Sequence, residues 1–227
     1  VRMVSCAETE LPNAAVPPYL SGCLASDADA RERFTEHYRK SVAPAHERFS
    51  QFLASNGTAP CPPGQFLNDS PWLNLLLSPT PVRYERQSPL NPQRYVYLDG
   101  CVRREAPYIV PDFPRHNDAP LIYISFGSLG AADTDMMKRL IGTIETLPYR
   151  FLINVGAYRE MYTTVPDNVY LDSWFPQPAV LKECQLFIHH GGNNSFCEAL
   201  YFGLPSLIIP YCWDGHDNAA RAEEVGV

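Results

Sequence analysis

The stretch Leu186-Phe187-Ile188-His189-His190-Gly191-Gly192-Asn193-Asn194-Ser195 decides how the rest of the chain is read. Leu186–His189 is a short apolar run of strand type, and the glycine pair after it permits a tight turn. Asn194 to Phe202 reads as a short helix, closed by Gly203. The same grammar appears upstream. Leu121–Phe126 is a buried strand that ends at Gly127-Ser128-Leu129-Gly130. A helix follows with Met136, Met137, Leu140, Ile144 and Leu147 on one face and Asp133 and Asp135 near its start. Phe151–Val155, Val169–Leu171 and Ser206–Ile209 are further strands, and a last helix begins near Asp217. Strands alternating with helices predict an α/β fold, with a doubly wound parallel sheet covered by helices on both faces.

Before residue 120 the pattern is different. Sixteen of the 22 prolines lie in residues 1–120, so long regular elements are few. One helical stretch survives, from about Asp29 to Ser55, with Phe34, Tyr38, Val42, Phe49 and Phe52 at helical spacing. Pro44 should break it into two helices. Leu73–Leu77 and Tyr95–Leu98 read as short strands. Two regions are expected: 1–119, punctuated by proline, and 120–227, a regular α/β unit truncated at its end. The chain starts at Val1 and stops at Val225-Gly226-Val227, in what reads as mid-helix, so it is expected to be a piece of a longer protein that begins after the first strands.

Composition narrows the function classes. At 45% hydrophobic and 19% charged, the 227 residues can bury a core, which excludes a disordered tail or a small disulfide scaffold. The net charge is −7, of which residues 1–119 carry −1 and residues 120–227 carry −6. Such a surface cannot neutralise many phosphates, which argues against nucleic acid as a partner and against an anionic membrane. Seven scattered cysteines with no Cys-x-x-Cys pair suggest reduced thiols in the cytoplasm and no metal site. No apolar run approaches the roughly 20 residues that span a bilayer.

In doubly wound sheets ligands bind beyond the carboxyl ends of the strands, where both glycine turns fall. A helix start there offers unpaired N–H groups to an anion such as a diphosphate. Asn194 and Ser195 are either N-capping residues or ligands of a phosphate oxygen. His190 could donate to the same phosphates or be a structural histidine. Glu198, one turn beyond Ser195, could accept from two vicinal hydroxyls of a ribose or serve as the capping partner of Ser195. Trp174 could stack on a base or pack in the core, and Gln177 could bond to sugar hydroxyls. Asp214 could accept from sugar hydroxyls or cap the last helix.

Taken in order, Trp174-x-Pro176-Gln177, then His190-Gly191-Gly192-x-Asn194-Ser195-x-x-Glu198-Ala199-Leu200, then Gly203-x-Pro205, Pro210-x-x-x-Asp214 and Asn218-Ala219 closely resemble one family. It is the donor-binding signature of nucleotide-sugar-dependent glycosyltransferases of the GT-B fold, which include the macrolide glycosyltransferases and UDP-glucuronosyltransferases. Ile124-Ser125-Phe126-Gly127-Ser128 is similar to the strand and loop that open their C-terminal domain. The resemblance implies that Trp174 stacks on uracil while the Phe175 backbone bonds to the base edge. It implies that Gln177 and Glu198 hold the ribose. Ser128, His190, Asn194, Ser195 and the backbone around Gly192 would hold the diphosphate, and Asp214 the transferred sugar. One position departs from the pattern: Gly215 stands where the family usually has a sugar-contacting Gln. His216 or Asp217 could compensate.

The implied activity is transfer of a hexose, with inversion, from a UDP- or TDP-sugar to a hydroxyl of a small-molecule acceptor. No cofactor or metal is implied. The family's general base, a His oriented by an Asp, has no match in this chain and is expected in the N-terminal segment that precedes it. His37 and His46 lie on what reads as a surface helix. Two alternatives are a non-catalytic nucleotide-sugar-binding subunit that needs a partner chain, and a GT-B-fold UDP-sugar epimerase using His216 and Asp217.

Overall fold

The structure, a computed structural model, describes residues 2–4, 9 and 15–227. Three short strands, β1 (Arg2–Val4), β2 (Asn74–Leu76) and β3 (Tyr95–Tyr97), form one parallel sheet in the order β1-β2-β3. The sequence reading contains the last two; β1 shows that at least one earlier strand is present. Three residues are too few to carry a readable period.

Between β1 and β2 runs α1, Ala28–Ser55, a single helix of 28 residues with Pro44 inside it. The expected break does not occur. Pro44 removes one backbone donor, but it sits on an exposed face, and no residue of α1 is buried. Water can satisfy the carbonyl one turn back, and Ala43 and Ala45 beside it are strong helix formers. His37 is exposed on this helix, whereas His46 is half-buried with its ring 5.5 Å from that of Phe66.

The second sheet holds β4 (Leu121–Ser125), β5 (Arg150–Asn154), β6 (Val169–Asp172), β7 (Leu186–His189) and β8 (Ser206–Ile208). All pairings are parallel, in the order β6-β5-β4-β7-β8. All five residues of β4 are buried, as a central strand of a doubly wound sheet requires. Alternation sends its side chains to two cores. Ile122 and Ile124 join Ile153 and Ile188 beneath α3 (Thr134–Ile144), which contributes Met137, Ile141 and Ile144. Leu121 and Tyr123 join Leu152, Phe175 and Phe187 on the opposite face. There they meet Ala199 of α5 (Asn193–Phe202) and Val180 of α4 (Gln177–Val180). Helices therefore cover both faces. Asp133 starts α3 by accepting from the Met136 N–H at 3.0 Å.

Three sequence expectations change locally. Gly127-Ser128-Leu129-Gly130 is the start of a short helix, α2 (Gly127–Ala132), rather than an open turn. The N-cap of α5 is Gly192, so Asn194 and Ser195 lie inside its first turn and are not caps. The last helix, α6 (Gly215–Val225), does not run off the end of the chain. Gly226 closes it in the left-handed conformation, φ 73°, with its N–H donating to the Ala222 carbonyl.

The segment between the sheets packs on the second one through Tyr108, Val110 and Phe113, and the Tyr108 ring meets Phe175 edge-on at 6.0 Å. Six described cysteines are free, and Cys6 lies outside the described residues. Among the described residues no helix is long and apolar enough to cross a membrane.

Candidate nucleotide-binding site

The strand order reverses between β4 and β7, the first strand and its neighbour on the other side. A crevice at such a switch point opens beyond the carboxyl ends of the two strands. Both glycine turns lie there, Gly127 after β4 and Gly191-Gly192 after β7.

The imidazole of His190 joins the two turns. A Cβ on Gly127 would stand 3.0 Å from its Cε1, and one on Gly192 would stand 2.5 Å from its Nε2. The ring therefore occupies space that side chains at either position would take. Its Nδ1 is buried without a protein partner. The preceding His189, which the sequence reading did not single out, is fully buried and stacks on Phe187 at 4.5 Å. Its Nδ1 accepts from the Gly191 N–H at 3.1 Å, and burial, with His190 beside it, pushes its pKa down to about 3. It is a neutral acceptor that fixes the turn.

A second cluster forms where α4 meets α5. The Gln177 amide donates to the Glu198 carboxylate at 2.7 Å and to the Ser195 hydroxyl at 3.2 Å. Glu198 is 6% exposed. Burial raises its pKa, opposed by the Gln177 bond and the positive charge of Arg103, and reinforced by Glu105. The capping-box alternative for Glu198 and Ser195 is not realised, because their shared partner is Gln177. Glu198 and Asn194 also border a cavity of about 300 Å³ between α5 and the chain segments around Leu77–Pro81 and Leu98–Val102.

The remaining candidates divide by exposure. Trp174 is 60% exposed in the loop between β6 and α4, so the core-packing alternative does not hold. Its neighbour Phe175 takes that role, 3% exposed, with Tyr108, Tyr123 and Tyr170 around its ring. Ser128 and Asn194 are exposed near the starts of α2 and α5.

Asp214 is held through one of its carboxylate oxygens. It is 8% exposed, and its Oδ2 accepts from the Asn193 N–H at 2.8 Å and the Asn218 amide at 3.3 Å. It sits at the N-cap position of α6 without a side-chain capping bond there. Burial raises its pKa, opposed chiefly by the Asn193 bond. Asp217, offered as a substitute for the Gln that Gly215 replaces, has both oxygens engaged within the chain. It is 1% exposed, and its two carboxylate oxygens accept from Thr9 Oγ1, the Leu20 N–H and the Gly22 N–H, each at 2.9 Å. The pattern signal missed these bonds because they link residues about 200 positions apart. Among the described residues no group of His, Cys, Asp or Glu is arranged to hold a metal ion.

The parallel strand order, with glycine turns beyond β4 and β7, is that of a GT-B-type α/β fold. Comparison with known proteins agrees. Residues 139–227 match the family model of the erythromycin biosynthesis protein CIII-like C-terminal domain, and the chain is similar in sequence and fold to macrolide-type GT-B glycosyltransferases. An ecdysteroid UDP-glucosyltransferase of Spodoptera littoralis nuclear polyhedrosis virus is 30% identical over 140 residues, covering 58% of this chain and 27% of that protein. The erythronolide mycarosyltransferase of Saccharopolyspora erythraea is 28% identical over 137 residues, covering 57% of this chain and 32% of that protein. The chain thus spans about a third or less of the curated relatives it matches. Among solved structures, the kitacinnamycin glycotransferase superposes with a TM-score of 0.65 at 22% identity, over 87% of this chain and 52% of that one. The spinosyn rhamnosyltransferase complexed with thymidine diphosphate gives 0.54 at 25% identity, over 80% and 47%.

Proposed function

We propose that this chain is the donor-binding part of an inverting glycosyltransferase that transfers a hexose from a UDP- or TDP-sugar to a hydroxyl of a small-molecule acceptor. The observation that carries it is the pairing of Gln177 with Glu198 beside the start of α5. The buried Glu198 carboxylate and the Gln177 amide oxygen beside it present acceptors for two vicinal ribose hydroxyls. The relatives support both nucleotides, one named for UDP and one complexed with thymidine diphosphate.

In this proposal the base lies on the exposed face of Trp174 and is bonded at its edge by the Phe175 backbone. The ribose is held by Gln177 and Glu198. The diphosphate lies across Ser128, His190, the Gly192 backbone, Asn194 and Ser195. When an acceptor oxygen attacks the anomeric carbon, the bond to the diphosphate breaks and negative charge collects on the leaving oxygen. Donors held close to that oxygen, the His190 ring and the Asn194 and Ser195 N–H groups at the start of α5, would lower the barrier because they need no reorganisation. The proposal assigns no general base within residues 1–227 and no cofactor. The epimerase alternative is set aside, because Asp217 has both oxygens engaged in bonds to Thr9, Leu20 and Gly22.

Calorimetric titration of UDP and TDP tests the reading. Glu198→Ala is expected to weaken binding by about 1–3 kcal/mol, the cost of leaving hydrogen bonds to a charged group unmade. Trp174→Ala is expected to lose about 1–3 kcal/mol of base stacking with an unchanged melting temperature. Wild-type affinity in both variants would remove the site.

A further inference from the structure

The last side chain of β7, His189, is clamped from several directions. Its backbone pairs in register with Ser125 of β4 and Ile208 of β8, and its carbonyl accepts from the Ile209 N–H at 2.8 Å. Its ring ends a stack of three. Tyr123 lies 5.2 Å from Phe187, and Phe187 lies 4.5 Å from His189, with interplanar angles of 17° and 26°. All three rings are fully buried. A ring held this way has one place for its Nδ1, and there it meets the buried Gly191 N–H at 3.1 Å. Gly191 turns through φ 84°, a conformation that suits glycine. The bond spans His190, so it fixes the backbone on both sides of that residue. It thereby sets the direction of the His190 imidazole, which fills the space beside Gly127 and Gly192.

From this geometry we infer that His189 is a positioning residue for the diphosphate. Acting through the Gly191 N–H, it sets His190 and the glycine turn before an anion arrives. Being fully buried, it touches no substrate itself. The inference rests on the donor-binding reading above and adds a residue outside its set of ligands. The bond also dictates the tautomer. An accepting Nδ1 leaves the proton on Nε2, which is buried with no partner among the described residues. The other tautomer would set two N–H groups against each other at 3.1 Å. Without the acceptor, a buried N–H is left unmatched and the turn relaxes away from the one shape that presents His190.

Two measurements on the whole chain separate this inference from the reading beneath it. The first is nitrogen-15 NMR of the wild-type chain without nucleotide. Long-range imidazole correlations should show His189 protonated at Nε2 and bare at Nδ1 at neutral pH. A proton on Nδ1 overturns the inference. The second compares His189→Leu with His189→Asn, two side chains of one shape that both lack the ring. Both variants should melt earlier, because both lose the stack on Phe187. Only His189→Asn keeps an acceptor close to where Nδ1 stood. In UDP titrations His189→Leu should weaken binding about tenfold, the cost of an unmatched buried N–H, while His189→Asn stays within about threefold of wild type. Equal losses in the two variants overturn the positioning role and leave His189 a packing residue. Wild-type affinity in His189→Leu overturns it as well. A wild-type chain that binds neither UDP nor TDP overturns the donor-binding reading. The tautomer, with Gly191 amide exchange that is faster in His189→Leu than in His189→Asn, still decides whether the bond holds the turn.

Discussion

His189 is a histidine kept neutral by its surroundings, and that has a measurable consequence. Its pKa falls from an ordinary 6.5 to about 3, with burial as the main cause. The unfolded chain therefore binds a proton between about pH 6.5 and 3 that the folded chain refuses, and stability is lost as pH falls through that window. The slope is at most about 1.4 kcal/mol per pH unit for one proton. Glu198, Asp214 and Asp217 act in the opposite sense. Their pKa values are raised, so the folded chain holds protons there more tightly, and what they contribute diminishes as pH rises past the ordinary carboxylate range. Replacing His189 isolates its part. Urea unfolding of His189→Gln should show a smaller loss of stability between pH 6.5 and 4 than the parent chain. Parallel curves for the two proteins would mean that His189 is not responsible.

At the scale of elements, much was legible and the exceptions have physical reasons. The alternation of apolar runs with amphipathic stretches after residue 120 located all five strands of the larger sheet to within about a residue at each end. Parallel strands buried on both faces leave an unmistakable run such as Leu121–Ser125. Periodicity failed where solvent rather than the core decides. Helix α1 survives Pro44 because that face is wet, a fact the apolar spacing of Phe34, Tyr38 and Phe49 cannot report. Restoring the missing donor should therefore help. Pro44→Ala is expected to stabilise α1 by about 1–3 kcal/mol in thermal or denaturant melts, provided helix unfolding is part of the transition. A drop in stability would mean that the proline ring has a packing role absent from the structure. The candidate site was legible in its order of residue types. Its partners were not, since Gln177 meets Glu198 across 21 positions and the choice between a cap and a ligand depends on that meeting.

On the scale of the whole molecule, the two sheets are tied together by a few long-range polar bonds. The Asn193 amide donates to the Leu77 carbonyl at 2.9 Å, and Arg221 donates to the Val82 carbonyl at 2.9 Å while its guanidinium lies 4.3 Å from the centre of the Tyr84 ring. Asp217 gathers Thr9, Leu20 and Gly22 onto α6. Removing that carboxylate leaves three donors unmatched, at a cost of about 2–4 kcal/mol. Asp217→Ala should lower the denaturation midpoint and make the chain around Leu20–Gly22 the first site of limited proteolysis. Cleavage that begins instead in the 98–119 linker would assign the tie to other contacts.

The three tryptophans all face outward, with Trp72 at 80% and Trp174 and Trp213 at 60% exposure. Indoles already in water emit at long wavelength, so unfolding should barely move the fluorescence maximum. A pyrimidine laid on Trp174 would instead dim the emission, and in a chain carrying Trp72→Phe and Trp213→Phe that quench would come from one ring. Under the proposed function, the molecule would carry a built-in optical gauge of nucleotide occupancy that is nearly blind to its own denaturation.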